Sequence, residues 1–170
     1  MNLKEYIKNI PDFPSEGIIF RDITTLIADK DAFKYCIDEI TKFANEVEAE
    51  VVIGPESRGF IFGCPVAINL KTGFIPVRKP NKLPRETEKI EYTLEYGSNV
   101  LEIHSDSIYK GQKVVIVDDL LATGGTTQAT IKLIEKLGGI VVGIAFIIEL
   151  DDLQGRSLLD NYKIKTLVHY

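Results

Sequence analysis

The chain has little cysteine and little histidine, two of each in 170 residues. Cys36 and Cys64 have no CxxC spacing and fall in apolar helical patterns, so they read as buried thiols of a reducing cytosol. His104 and His169 stand alone in the sequence, which argues against a histidine-built zinc site. No apolar run approaches ~18 residues, so no membrane-spanning helix is expected. The opening residues, MNLKEYIKNIPDF, lack the continuous apolar stretch of a secretion leader. Positive charge is not in excess either. Lys and Arg number 20 against 25 Asp and Glu, a formal charge of −5. A dedicated nucleic-acid binder would show the opposite balance. A phosphorylated small substrate needs only a local cationic pocket and stays open. No period of roughly 20–50 residues repeats and no low-complexity linker divides the chain, so residues 1–170 are expected to form one domain.

Apolar residues make up 45% of the chain and charged ones 26%, enough for a packed core without disulfide or metal staples. Residues 31–47 read as an amphipathic helix with Phe33, Ile37, Ile40, Phe43, Ala44 and Val47 on one face. Residues 50–54 (EVVIG) form a short strand-like run that stops at Pro55. A second helix suits 59–70, with Gly63 and Pro65 as weak points near its start. Residues 73–78 (GFIPVR) read as a strand, and 113–117 (KVVIV) as a buried one. A glycine-rich turn follows, then a helix over 126–137 that Gly138-Gly139 ends, then a long strand over 140–150. Alternating strands and helices predict an α/β fold, a central parallel sheet flanked by helices.

One segment breaks the alternation. Ile90, Tyr92, Leu94 and Tyr96 alternate with Glu91, Thr93 and Glu95, and Leu101 and Ile103 alternate with Glu102 and His104. The pattern predicts a β-hairpin turning at Gly97-Ser98-Asn99. Residues 79–89 (KPNKLPRETEK) precede it, charged and punctuated by proline. They read either as a solvated surface excursion or as a mobile lid.

The most informative stretch is VVIVDDLLATGGTT, residues 114–127. An apolar strand delivers Asp118 and Asp119 to the carboxyl end of the sheet. The turn Ala122-Thr123-Gly124-Gly125-Thr126-Thr127 then opens a helix. Such a turn aims consecutive backbone N–H groups at one point, and the helix N-terminus adds partial positive charge. A phosphate monoester fits there, with threonine hydroxyls as further donors. The glycines would let the anion reach the backbone with no Cβ in the way. The two carboxylates repel a phosphate, and suit instead a ribose diol or a hydrated divalent cation. The loop is neither a Walker A loop nor GxGxxG.

This stretch resembles the phosphoribosyl-diphosphate signature of the type I phosphoribosyltransferases, and DDLLATGGT is similar to the wording of the adenine phosphoribosyltransferases. Four further stretches carry the closer resemblance: PDFPSEGIIFRDI (11–23), GPESRGFIFG (54–63), RKPNKLPRETEKIEYTLEYG (78–97) and ELDDLQGRSLL (149–159). The resemblance implies the family's fold, with a small hood from the N- and C-terminal parts and a β-hairpin lid. It implies purine salvage in the cytoplasm, adenine and 5-phosphoribosyl 1-diphosphate giving AMP and diphosphate, with Mg²⁺. It also implies a homodimer, although no helix shows an obvious extra apolar stripe.

Residue by residue, the resemblance implies a diphosphate loop at Ser57 and Arg58, with a cis peptide joining Glu56 to Ser57. It implies phosphate contacts from Arg78, Lys79 and Lys82 and from the 122–127 loop, Arg78 across the dimer interface in many relatives. Ile19 and Arg21 would read the edge of adenine with backbone groups, and Phe20 and Leu120 would sandwich its faces. Glu95 matches the position credited with proton transfer at the purine N7, and Arg58 would stabilise the leaving diphosphate. Mg²⁺ would be held mainly by substrate oxygens, with Asp118 and Asp119 acting through the ribose hydroxyls or water. Asn81 departs from the glycine usual in bacterial members, and asparagine tolerates the left-handed backbone such a turn requires.

Two rival readings fit the same motifs. Another base of the same family (hypoxanthine or guanine, xanthine, orotate) would differ at GIIFRDI and LEYG. A non-catalytic phosphoribosyl-diphosphate sensor would ordinarily add a DNA-binding module, which neither the length nor the charge favours.

Overall fold

The computed structural model of the chain describes residues 1–93 and 98–170. In chain order the elements are β1 (Lys8–Pro11), β2 (Ile19–Asp22), α1 (Thr24–Ala28), α2 (Lys30–Glu46), β3 (Val51–Pro55), α3 (Arg58–Leu70) and β4 (Gly73–Val77). Then come β5 (Thr87–Thr93), β6 (Ser98–His104), β7 (Lys113–Leu121), α4 (Gly125–Lys136), β8 (Ile140–Glu149) and β9 (Ile164–His169).

Five strands make one sheet in the order β4-β3-β7-β8-β9, every neighbouring pair parallel. The three central strands carry long buried stretches, as strands covered on both faces must. Their side chains alternate between two cores. Val115, Val117, Ala145 and Ile147 face a cluster with α2 and α3 residues such as Ile40 and Phe62. Val114, Ile116, Ile144 and Phe146 face one with Leu133 and Ile134 of α4 and Ile103 of β6. The chain leaves β3 for β4 on one side and returns as β7 on the other. That reversal opens a crevice at the carboxyl ends of β3 and β7, where open parallel sheets bind ligands.

The expected helices and strands are present, and all but β7 and the hairpin strands lie within a residue or so of their predicted bounds. Asp29 caps α2 by accepting from the N–H groups of Asp31 and Ala32. Three differences matter. β7 runs four residues beyond Val117 because β8 keeps pairing with it as far as Leu121↔Glu149, so Asp118 and Asp119 belong to the strand. Ser98 pairs with Thr93 and Asn99 with Tyr92, which puts both in the second hairpin strand and not in its turn. The hairpin is also less of a free flap than its sequence implies. Leu101 and Ile103 are buried, and backbone hydrogen bonds join Arg78 to Glu102 in both directions.

Sequence patterning did not resolve β1, β2 or β9. β1 and β2 form a separate antiparallel pair at the hood, and β1 is exposed along its whole length, so it shows no buried periodicity. Cys36 is buried as expected, and burial pushes its thiol up to about 12. Cys64 is exposed, because it falls on the outer face of α3.

Candidate functional site

β7 ends at Leu121, and the turn after it enters α4 through Gly124, whose φ of +85° suits glycine. The first N–H groups of an α-helix have no acceptor inside it, so the start of α4 presents donors and a positive dipole end. No side chain caps this helix. Glu56, Ser57 and Arg58 share with Asp118, Asp119 and the whole run from Leu120 to Thr127 the lining of one cavity of about 240 Å³. The structure therefore brings together Ser57, Arg58, Asp118, Asp119, Ala122, Thr123, Gly124, Gly125, Thr126 and Thr127.

Gly124 has a different reason from the one its motif implies. A Cβ there would lie 2.7 Å from the carbonyl oxygen of Gly155, so it would meet protein backbone and not an incoming anion. Gly125 is the glycine with room beside it, its nearest neighbours being ring atoms of Tyr92 at 3.7 and 3.8 Å. The Tyr92 hydroxyl also lies 3.2 Å from Thr126 Oγ1.

The two aspartates compete for one cation. Arg58 Nε lies 3.0 Å from Asp119 Oδ2, and that carboxylate is almost fully buried. Burial, then the charge of Asp119, pushes the Asp118 carboxyl well above its ordinary range. Burial raises Asp119 as well, against the opposing pull of Arg58. With one guanidinium paired to Asp119 for two adjacent carboxylates, the pair is short of positive charge, which a cation would supply. Gly59 makes the approach of α3 tight, since a Cβ there would lie 3.0 Å from Val117 O and 3.1 Å from Asp118 Oδ1.

The turn after β3 carries the cis peptide between Glu56 and Ser57. Its Glu56 carboxylate accepts from the backbone N–H of Lys79, and Arg78 Nη2 lies 3.4 Å from it. Arg78 Nη1 also donates to the carbonyl of Lys82 at 3.3 Å. Arg78, Lys79 and Lys82 thus stand beside the cavity and are not among its lining residues. Asn81 has φ +64°, the left-handed conformation its position calls for, and its N–H lies 3.3 Å from the buried Glu102 carboxylate.

A second, mostly apolar cavity of about 120 Å³ opens beside the first. Ile18, Ile19, Phe20 and Arg21 of the hood line one side, and Leu120, Ile148 and Leu150 the other. Arg58 and Asp119 complete it, and with Leu120 they form a wall common to both cavities. The Arg58 guanidinium lies 5.6 Å from the centroid of the Phe20 ring. The Arg21 side chain points elsewhere, over the Tyr170 ring at 3.9 Å and to Asn9 Oδ1 at 2.5 Å. Ile148, Leu150 and Glu56 were missed in the sequence; the first two lie at the carboxyl end of a parallel strand, which is a usable signal. Glu95 lies outside the described residues.

His169 is not isolated in space, because β9 carries it to Asp151 (Nδ1–Oδ1 2.9 Å) and to within 3.8 Å of Glu149. Glu149 is engaged by Arg156 and Thr166, so this cluster is an internal network.

Residues 23–168 match the model of the phosphoribosyl transferase domain. The chain is similar to the adenine phosphoribosyltransferase of Thermoanaerobacter pseudethanolicus, at 52% identity over 99% of this chain and 98% of that one, with a TM-score of 0.95. The corresponding enzyme of Rhodothermus marinus is 46% identical over 99% and 96%, with a TM-score of 0.93. That of Saccharomyces cerevisiae, solved with an imino-altritol bisphosphate and adenine, is 42% identical over 97% and 96%, with a TM-score of 0.90.

Proposed function

Because the chain belongs to the phosphoribosyltransferase family, on its adenine branch, we propose that its crevice transfers the 5-phosphoribosyl group of 5-phosphoribosyl 1-diphosphate to N9 of adenine. The products are AMP and diphosphate, the chemistry of purine salvage, carried out by one domain over residues 1–170. The observation that carries this reading is the wall common to the two cavities. A polar, donor-rich cavity and a mostly apolar one meet at Arg58, Asp119 and Leu120, where a ribose C1 would face a base.

In this reading the 5′-phosphate lies on Ala122, Thr123, Gly124, Gly125, Thr126 and Thr127. Asp118 and Asp119 accept from the ribose hydroxyls. Ser57 and Arg58 hold the diphosphate, and Arg78, Lys79 and Lys82 reach it from the neighbouring turn. Phe20 and Leu120 flank the adenine ring. Pro11, opposite Ile19, has no N–H to donate, which suits a pair whose backbone groups point outwards. Arg21, two residues on, shares that orientation, and backbone groups of Ile19 and Arg21 then accept from the exocyclic amine and donate to N1. Hypoxanthine and guanine present the reverse pattern there and leave buried groups unpaired, a penalty worth orders of magnitude.

In the reaction the C1–O bond to diphosphate breaks as the C1–N9 bond forms on the opposite face, and the base loses the proton of its ring nitrogen. Arg58 stabilises charge on the departing diphosphate, a preorganised electrostatic contribution. Glu95 is proposed to exchange a proton at N7. Asp118 and Asp119, both raised by burial, would face a hydrated Mg²⁺ through water; the ion prefers to keep several waters and would neutralise diphosphate charge when bound.

We further propose a homodimer in the cytoplasm. α3 leaves Ile61, Cys64 and Ile68 exposed at helical spacing, Ile68 to 76%, a stripe that sequence patterning did not resolve and that a second copy would cover. Unpaired Cys36 and Cys64 suit a reducing compartment. The test is product analysis with adenine, hypoxanthine, guanine, xanthine and orotate in parallel. AMP from adenine, with the other bases at trace rates, is expected. A faster reaction with any other base sinks the adenine assignment.

A further inference from the structure

The segment after β8 is packed against the turn that begins α4. Gly155 opens a 3₁₀ turn, Gly155–Leu159, and a Cβ on Gly155 would run into the carbonyl oxygen of Ala122. The same Cβ would lie 2.9 Å from both Gly124 N and Thr123 C, and a Cβ on Gly124 would lie 2.7 Å from Gly155 O. The contact is thus reciprocal, backbone against backbone, and neither side can swing away as a side chain would.

The 3₁₀ turn is itself clamped to the sheet. Arg156 gives Nε to Glu149 Oε1 at 2.8 Å and Nη2 to Glu149 Oε2 at 2.5 Å, the two-pronged geometry for which a guanidinium is suited. Thr166 of β9 joins them, its Oγ1 donating to Glu149 Oε2 at 2.8 Å and lying 3.1 Å from Arg156 Nη2. Leu159 is fully buried in the core beneath α4. Leu150 N donates to Leu121 O at 2.9 Å, which ties the start of this segment to the end of β7. Gly155 and Arg156 are not among the residues lining the crevice.

We propose that Gly155 and Arg156 are positioning residues for the 5′-phosphate: Gly155 is the seat on which Ala122, Thr123 and Gly124 rest, and Arg156 is the clamp that fixes the seat to Glu149. The inference rests on the reading of 122–127 as a phosphate loop. Several N–H groups must converge on one anion, and a displacement of ~1 Å in such a group can cost as much as ~100-fold. The ion pair stays formed at neutral pH, because its hydrogen bonds to Arg156 hold the Glu149 carboxyl below its ordinary range.

The experiment measures dissociation constants of ribose 5-phosphate and of adenine for the wild type, G155A, R156Q and R156K, with the melting temperature of each. For G155A, affinity for ribose 5-phosphate is expected to fall by about 10- to 100-fold. R156Q, which adds no volume, is expected to lose about 3- to 10-fold and R156K less, as partial restoration of the clamp. Adenine affinity should stay within about twofold throughout, because neither the neighbours of Gly155 nor the partners of Arg156 line the apolar cavity. Folded variants with wild-type ribose 5-phosphate affinity would overturn the proposal. Equal losses for both ligands, or loss of the fold in both G155A and R156Q, would leave these residues a general structural role and overturn it too. If instead the wild type binds adenine but not ribose 5-phosphate, the phosphate-loop reading itself fails and the proposal falls with it.

Discussion

The two turns that flank the crevice solve one problem by different physics. The turn after β3 is held by charge: Glu56 accepts from the Lys79 N–H and lies within reach of Arg78, and Arg58 pairs with Asp119. The turn after β7 is held by shape, with Gly124 and Gly155 in backbone contact and no side-chain cap on α4. A turn held by charge should respond to salt, pH and charge-neutralising substitutions of equal size. One held by shape should respond to these only through its Arg156–Glu149 clamp, and should fail on a single added carbon.

The largest effect is therefore expected from Gly124→Val. A branched Cβ at φ +85° meets both backbone strain and the Gly155 carbonyl, so binding of 5-phosphoribosyl 1-diphosphate should fall by about 100-fold or more, with circular dichroism near wild type. Titration calorimetry checks it, and normal binding would remove the close contact from the account. Asp119→Asn comes next. It keeps size, removes charge and frees Arg58, and a lost charge-assisted hydrogen bond predicts about 10- to 150-fold in kcat/KM. Steady-state kinetics at wild-type values would remove the ribose-diol role.

Glu56→Gln is expected to raise the KM for 5-phosphoribosyl 1-diphosphate by about 2- to 5-fold, since its partner Arg78 is partly exposed and screened. That rise should shrink at high salt, where the wild-type ion pair is screened. An increase that is unchanged by salt would place the effect in packing.

The smallest effect is on stability. A carboxyl whose pKa is raised on folding keeps a proton that the unfolded chain has released. Its cost to stability therefore appears as pH rises above the ordinary value of 3.8 and is complete above the raised one. Asp118→Asn should remove that cost. Its melting temperature should exceed wild type at neutral pH by about 2–4 °C for each kcal/mol relieved, with the gap closing at acid pH. Differential scanning calorimetry across pH checks this, and a variant that melts lower at pH 7 would show that the pair is not strained.

The same contrast explains what was legible in the sequence. The turn after β7 is contiguous, so DDLLATGGTT announces its chemistry in one run. The reason for Gly124 was not legible, because its neighbour Gly155 is thirty-one residues away by number. The end of β7 was hidden because two carboxylates interrupt the apolar run, while hydrogen bonding to β8 continues. The apolar cavity draws on β2, α3, β7 and β8, which lie far apart in the sequence, so no single run announces it. The apolar stripe on α3 was masked by the buried residues between its members, since Phe62, Gly63, Val66 and Ala67 make the whole helix read as core.

Under the proposed function, the two cavities joined at Arg58, Asp119 and Leu120 take a sugar phosphate and a purine. A crystal structure with AMP tests it most directly. The prediction is a phosphate on the backbone N–H groups of residues 122–127, ribose hydroxyls at Asp118 and Asp119, and the purine between Phe20 and Leu120. A phosphate bound away from that loop, or a base stacked outside the Phe20–Leu120 gap, would contradict it.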